Sequence, residues 1–198
     1  MLSRIRRLRE YLRIAGVASI SRRYFVINSF DGAMTMLGIL LGASATGPVD
    51  PKFVIGAGLG ASFAMGVSGL SGAYLTEQAE RARRLRGLKR AMLSDLRRSI
   101  HVKAASVASV WAALVDGFSP AIAAAVPMIP YALALFGIVP GWSAFPASIL
   151  LILAILFILG AFLGKISREN MLAAGLRMLA VGICTAVVLM VLGSFGVR

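Results

Sequence analysis

The chain has 198 residues, of which 59% are hydrophobic and 15% charged, with a mean hydropathy of +0.85 and a formal net charge of +13. An ordinary soluble domain is about 45–50% apolar and about 25% charged. The excess of apolar side chains therefore excludes a disordered chain, a nucleic-acid-binding tail and most soluble enzymes, and the lone cysteine, Cys184, excludes an intrachain disulfide framework and a Cys-rich metal site.

Residues 1–23 hold seven arginines, and Ile5, Leu8 and Leu12 share one helical face among them. This spacing predicts a basic amphipathic helix lying on an anionic membrane surface, with a partner protein as the competing use. The segment is too long and basic for a simple secretory signal. A helix needs about 20 predominantly apolar residues to cross a bilayer. Residues 24–45, with Asp31 as their one charge, form the first predicted span, and residues 52–76 form the second. Gly38 and Gly42, Gly56 and Gly60, and the Gly66, Gly69, Gly72 series provide faces for close helix packing and suit a dimer interface. The Gly56-Ala57-Gly58-Leu59-Gly60 run lacks the strand, lysine and acidic partner of a nucleotide loop.

Residues 79–103 predict a short basic cytoplasmic helical segment, with Glu80 and Asp95 as its only acids. The next apolar stretch, 104–137, holds one charge, Asp116, and is interrupted by Pro120, Pro127 and Pro130. It predicts a third helix kinked by proline, either beside a polar path or for packing alone. Residues 145–163 and 172–195 supply the fourth and fifth spans.

The predicted fold class is thus all-α: a polytopic protein with five transmembrane helices. A basic surface helix over 1–23 precedes the membrane domain of 24–198. An odd number of spans puts the N-terminus, the 79–103 segment and the 164–170 loop on one side, with 18 basic residues there against Lys52 and Arg198 opposite. The positive-inside rule makes that side cytoplasmic. The charge is then a topology signal, and no nucleic-acid partner is needed.

A carboxylate inside a bilayer costs a few kcal/mol and normally faces a bundle interior, a cavity or an ion path. Asp31 shares a helical face with Asn28 and Thr35, and Met34 lies three residues away. Oxygen donors with an added thioether suit a divalent transition metal. The competing reading pairs Asp31 with Arg22, Arg23 or Arg81 and leaves the methionines to packing. Asp116, just before Pro120, is a second candidate acid on a water-facing path. Glu77 is either a cation-collecting residue at the cytoplasmic mouth or the partner of Arg81 in an ordinary i,i+4 pair. His101 is the one histidine, and no nucleophile–base constellation is evident. No catalytic residue and no resident cofactor is expected.

The Phe30–Gly38 run resembles the vacuolar iron transporter (VIT) family, whose first span carries Asp-Gly-x-x-Thr-x-x-Gly, here Asp31, Gly32, Thr35 and Gly38. Gly72-Ala73-Tyr74-Leu75-Thr76 is similar to the family's Gly-Glu-Tyr-x-Ser segment, and Pro127, Pro130 and Tyr131 match its Pro-x-x-Pro-Tyr/Phe pattern. The resemblance covers most of residues 22–195. It implies a homodimeric exporter of Fe²⁺ or Mn²⁺ from the cytoplasm, exchanging metal for protons along a path between the two first helices, with Asp31 as its aspartate. The family's second-span methionine falls at Gly69, with Met65 one turn earlier as an approximate substitute, and its glutamate falls at Ala73. The glutamate-rich cytoplasmic domain of some relatives is replaced by the short basic segment, so the chain resembles a shorter, divergent branch.

These readings predict a multi-pass protein of a cell or organelle membrane, working as a homodimer among anionic lipids. It would move a divalent metal by proton antiport through Asp31, Asn28, Thr35, Met34, Met65, Asp116 and Glu77. The alternatives are a non-transporting membrane scaffold or assembly protein, and a transporter of another solute.

Overall fold

In the computed structural model, which describes residues 17–92 and 100–196, five α-helices follow one another: α1 (Val17–Thr46), α2 (Pro51–Met92), α3 (Ile100–Leu135), α4 (Gly141–Ser167) and α5 (Met171–Gly196). No strand occurs among the described residues. All five helices are long and apolar enough to cross a membrane, with spans at Ser19–Thr46, Pro51–Arg84, Ser106–Leu135, Gly141–Ser167 and Met171–Ser194. The protein is a multi-pass integral membrane protein.

The helix ends follow local chemistry. Asp50 accepts the Lys52 N–H at 2.9 Å and opens α2. Gly137, at φ 70°, closes α3, and Ile138 N–H reaches back to the Leu133 carbonyl at 2.9 Å. Arg168 takes the left-handed conformation after α4, and Asn170 Oδ1 then caps α5 by accepting the Leu172 and Ala173 N–H groups. Pro120, Pro127 and Pro130 all lie inside the continuous α3.

The helices extend beyond the expected spans. Residues 17–23, the end of the expected basic segment, are the first turns of α1 as described. The amphipathic face expected over 2–14 lies outside the described residues. Helix α2 has 42 residues, about 63 Å at 1.5 Å per residue, twice the roughly 30 Å hydrocarbon core. Residues 79–92 of the basic segment are its continuation, and 100–103 begin α3, while 93–99 lie outside the described residues.

The described residues form two compact units, 17–25 with 66–92 and 100–118, and 26–65 with 119–196. The larger one has an apolar core in which Met36, Leu37, Leu40, Val54, Ile152 and Leu156 are fully buried. Serines tie its helices together: Ser148 Oγ donates to the Pro127 carbonyl at 2.7 Å, and Ser29 Oγ to the Ser119 carbonyl at 3.5 Å. Gly160 and Gly164 let α4 and α5 approach closely, since a Cβ at either would come within 2.6–2.8 Å of Ala174. The smaller unit is lined by small residues, with Ala73, Ala104, Ala108, Ala112 and Ala113 buried. There α2 meets α3 at glycine: a Cβ on Gly117 would lie 2.8 Å from the Gly66 carbonyl oxygen and overlap Leu70.

Candidate functional site

Within the larger unit, Asp31 lies near the middle of the Ser19–Thr46 span and is exposed. It makes no hydrogen bond or ion pair to any described residue of its unit. Asn28 and Thr35, on the same face, are half-buried. Thr35 Oγ1 donates to Met65 Sδ at 3.6 Å, so the hydroxyl and thioether singled out from sequence are brought together. Met34 instead packs against the apolar core, as does the fully buried Met36. Gly32 has a steric reason to follow Asp31: a Cβ there would overlap the backbone of Pro120.

The smaller unit places the other two candidate acids. Asp116 is 8% exposed and sits against the glycine face of α2, where a Cβ on Gly69 would lie 2.8 Å from Asp116 Oδ2 and 3.1 Å from its carbonyl oxygen. The position at which the resemblance puts a methionine is therefore the space that the Asp116 carboxylate uses. Glu77 is nearly buried and doubly engaged: Arg81 Nε lies 3.1 Å from Oε2, and Tyr24 donates its hydroxyl to Oε1 at 3.2 Å. Arg23 stacks over the Tyr24 ring at 5.4 Å. Of the two sequence readings of Glu77, the arginine pair is the one formed.

The six acids among the described residues thus divide. Asp50 caps a helix, Glu77, Glu80 and Glu169 pair with Arg81, Arg84 and Arg177, and Asp116 is buried with a partner. Asp31 stands apart, outward-facing inside an apolar span. Among the described residues no three His, Cys, Asp or Glu side chains converge into a group that could hold a metal ion. Sequence reasoning missed the roles of Tyr24 and Gly69. The glycine series at 66, 69 and 72 marked a close-packing face, but the carboxylate filling it comes from another helix.

Residues 82–194 match the VIT family. The chain belongs to the VIT family. It is also 37% identical over 168 residues to an uncharacterized protein of Methanocaldococcus jannaschii, covering 83% of this chain and 84% of that one. VIT family members are membrane transporters of metal ions and not enzymes. The family match begins after the Asp31 segment, so the first-span motif is an additional likeness outside the matched region.

Proposed function

We propose that this VIT family protein exports a divalent metal cation, Fe²⁺ or Mn²⁺, from the cytoplasm in exchange for protons, as a homodimer whose first helices flank the path. The N-terminus and basic segments are cytoplasmic, as the positive-inside rule directs. The observation that carries this reading is Asp31. An outward-facing carboxylate at mid-span costs about 2.5–3.5 kcal/mol on insertion scales when left in lipid. A second copy facing it removes that exposure and supplies a second carboxylate.

Two Asp31 carboxylates, with the Thr35 hydroxyl one turn along α1 and the Met65 thioether that it meets, give hard and soft donors suited to a first-row divalent metal. Protons and metal compete for the same carboxylate lone pairs, so protonation from the outer side releases metal there. The open glycines of α1 and α2 support the dimer, since a Cβ on Gly38, Gly42, Gly56 or Gly60 would meet nothing within 4 Å among the described residues. Asp116 serves as an internal proton acceptor, and Glu77, held by Arg81 and Tyr24, positions the basic end of α2 against α1.

The test is Mn²⁺ and Fe²⁺ flux in proteoliposomes under an imposed pH gradient. Flux is expected to rise when the metal-receiving side is acidified, and to fall to background in Asp31→Ala. Undiminished flux in that variant removes Asp31 from the path. Thermal stabilisation by Mn²⁺ in detergent that disappears in Asp31→Asn separates this reading from a scaffold role.

A further inference from the structure

A groove of about 570 Å³ opens in the larger unit between α1, α4 and α5, and the transport reading makes no use of it. Its walls are apolar, with Phe30, Leu163, Met178 and Val181 among them, and its polar residues Ser167, Glu169 and Arg177 lie at or near the α4–α5 turn. Leu163 and Val181 are about half exposed, so these walls face outward. From the start of α5 at Met171 to Val181 is ten residues, about 15 Å along the helix, which is half of a roughly 30 Å hydrocarbon core. The groove is therefore about one leaflet deep, with Ser167 and Glu169 at its shallow end, Arg177 about 9 Å along it, and apolar side chains elsewhere.

The shallow end is also cationic. Arg168, exposed, stands between the lining residues Ser167 and Glu169, and Arg177 is six residues into α5, within snorkelling reach of the interface. Glu169 lies 3.3 Å from Arg177, but with side chains 57% and 75% exposed the pair is weak and leaves the guanidinium free to take a second anion. Two cations, Arg168 and Arg177, against the one carboxylate of Glu169 leave a net positive rim. Basic pockets between membrane helices select anionic headgroups.

We propose that this groove is a binding site for one anionic phospholipid, with an acyl chain against Phe30, Leu163, Met178 and Val181 and its phosphate at Arg177. The inference does not depend on which ion is carried. Lipid occupancy also covers the half-buried Phe30 on α1, coupling the helix that carries Asp31 to the surrounding leaflet.

The experiment uses the full chain in detergent, equilibrated with dioleoyl phosphatidylglycerol or dioleoyl phosphatidylcholine, with bound lipid counted by native mass spectrometry. Wild-type protein is expected to retain the anionic lipid in preference. Arg177→Gln lowers its retention about fivefold, the effect of one basic residue near an anionic surface, and leaves phosphatidylcholine unchanged. Val181→Trp, which fills the deep end, lowers retention of both lipids. Glu169→Gln raises retention of the anionic lipid and supports the site without risking the fold. Equal retention of the two lipids by wild type, or indifference to both Arg177→Gln and Val181→Trp in correctly folded protein, overturns the proposal. So does a change of oligomeric mass in Val181→Trp with lipid retention intact, which makes the groove an interface between copies.

Discussion

Asp116 is held inside its unit against Gly69, while Asp31, also a carboxylate within an apolar span, faces outward without a partner in its own unit. The buried acid is accommodated by a glycine that gives up its side-chain volume. The outward one has the glycine beside it, Gly32, used for a different purpose, the approach to Pro120. A residue whose surroundings are built around it contributes to the fold. A residue left without surroundings contributes nothing to its unit's packing, and under the proposed function a second copy and the cargo supply them.

The contrast can be broken most sharply at Asp31. Asp31→Asn is expected to cut metal flux at least about tenfold, while the unfolding midpoint in micelles stays within a degree or two or rises, because the neutral amide is less costly in lipid. A large loss of stability would make Asp31 structural and end the distinction. Glu77→Gln tests an acid of the inward kind. It leaves Arg81 nearly buried beside a neutral partner, and a loss of about 3 kcal/mol is expected in reversible SDS titration.

Gly69→Met puts a side chain where the Asp116 carboxylate lies and is expected to cost about 1–3 kcal/mol, with part of the loss recovered in the double variant Gly69→Met, Asp116→Ala. Additive effects would show that the two positions do not share space. The smallest effect belongs to Glu80→Gln, whose exposed pair with Arg84 is worth under about 0.5 kcal/mol by the same titration.

Hydropathy located all five spans because a bilayer core imposes its own length and composition on any segment that crosses it. It did not locate the helix ends. Residues 77–92 continue α2 for about four turns past the second apolar stretch, since arginine and glutamate favour helix and only Gly87 interrupts them. The shared face of Asn28, Asp31 and Thr35 was legible from spacing alone, being a property of one helix. That Thr35 meets Met65, that Tyr24 reaches Glu77 and that Asp116 fills the space at Gly69 depend on the register between helices, which a single sequence does not encode in any local pattern. Met34 illustrates the same limit: three residues from Asp31 it shares a turn with the acid, yet its side chain goes to the core.

The Gly69–Asp116 fit has a consequence for how positions in this branch can vary. A methionine at 69 and an aspartate at 116 compete for one volume, so each costs more where the other is present. The methionine that the resemblance aligns with Gly69 and the acid found on α3 are alternatives, and exchanging one for the other replaces a neutral sulfur with an oxygen that can carry charge. Drift at either position is therefore not free: a change at one alters the cost of a change at the other, and the chemistry of the smaller unit changes with its packing.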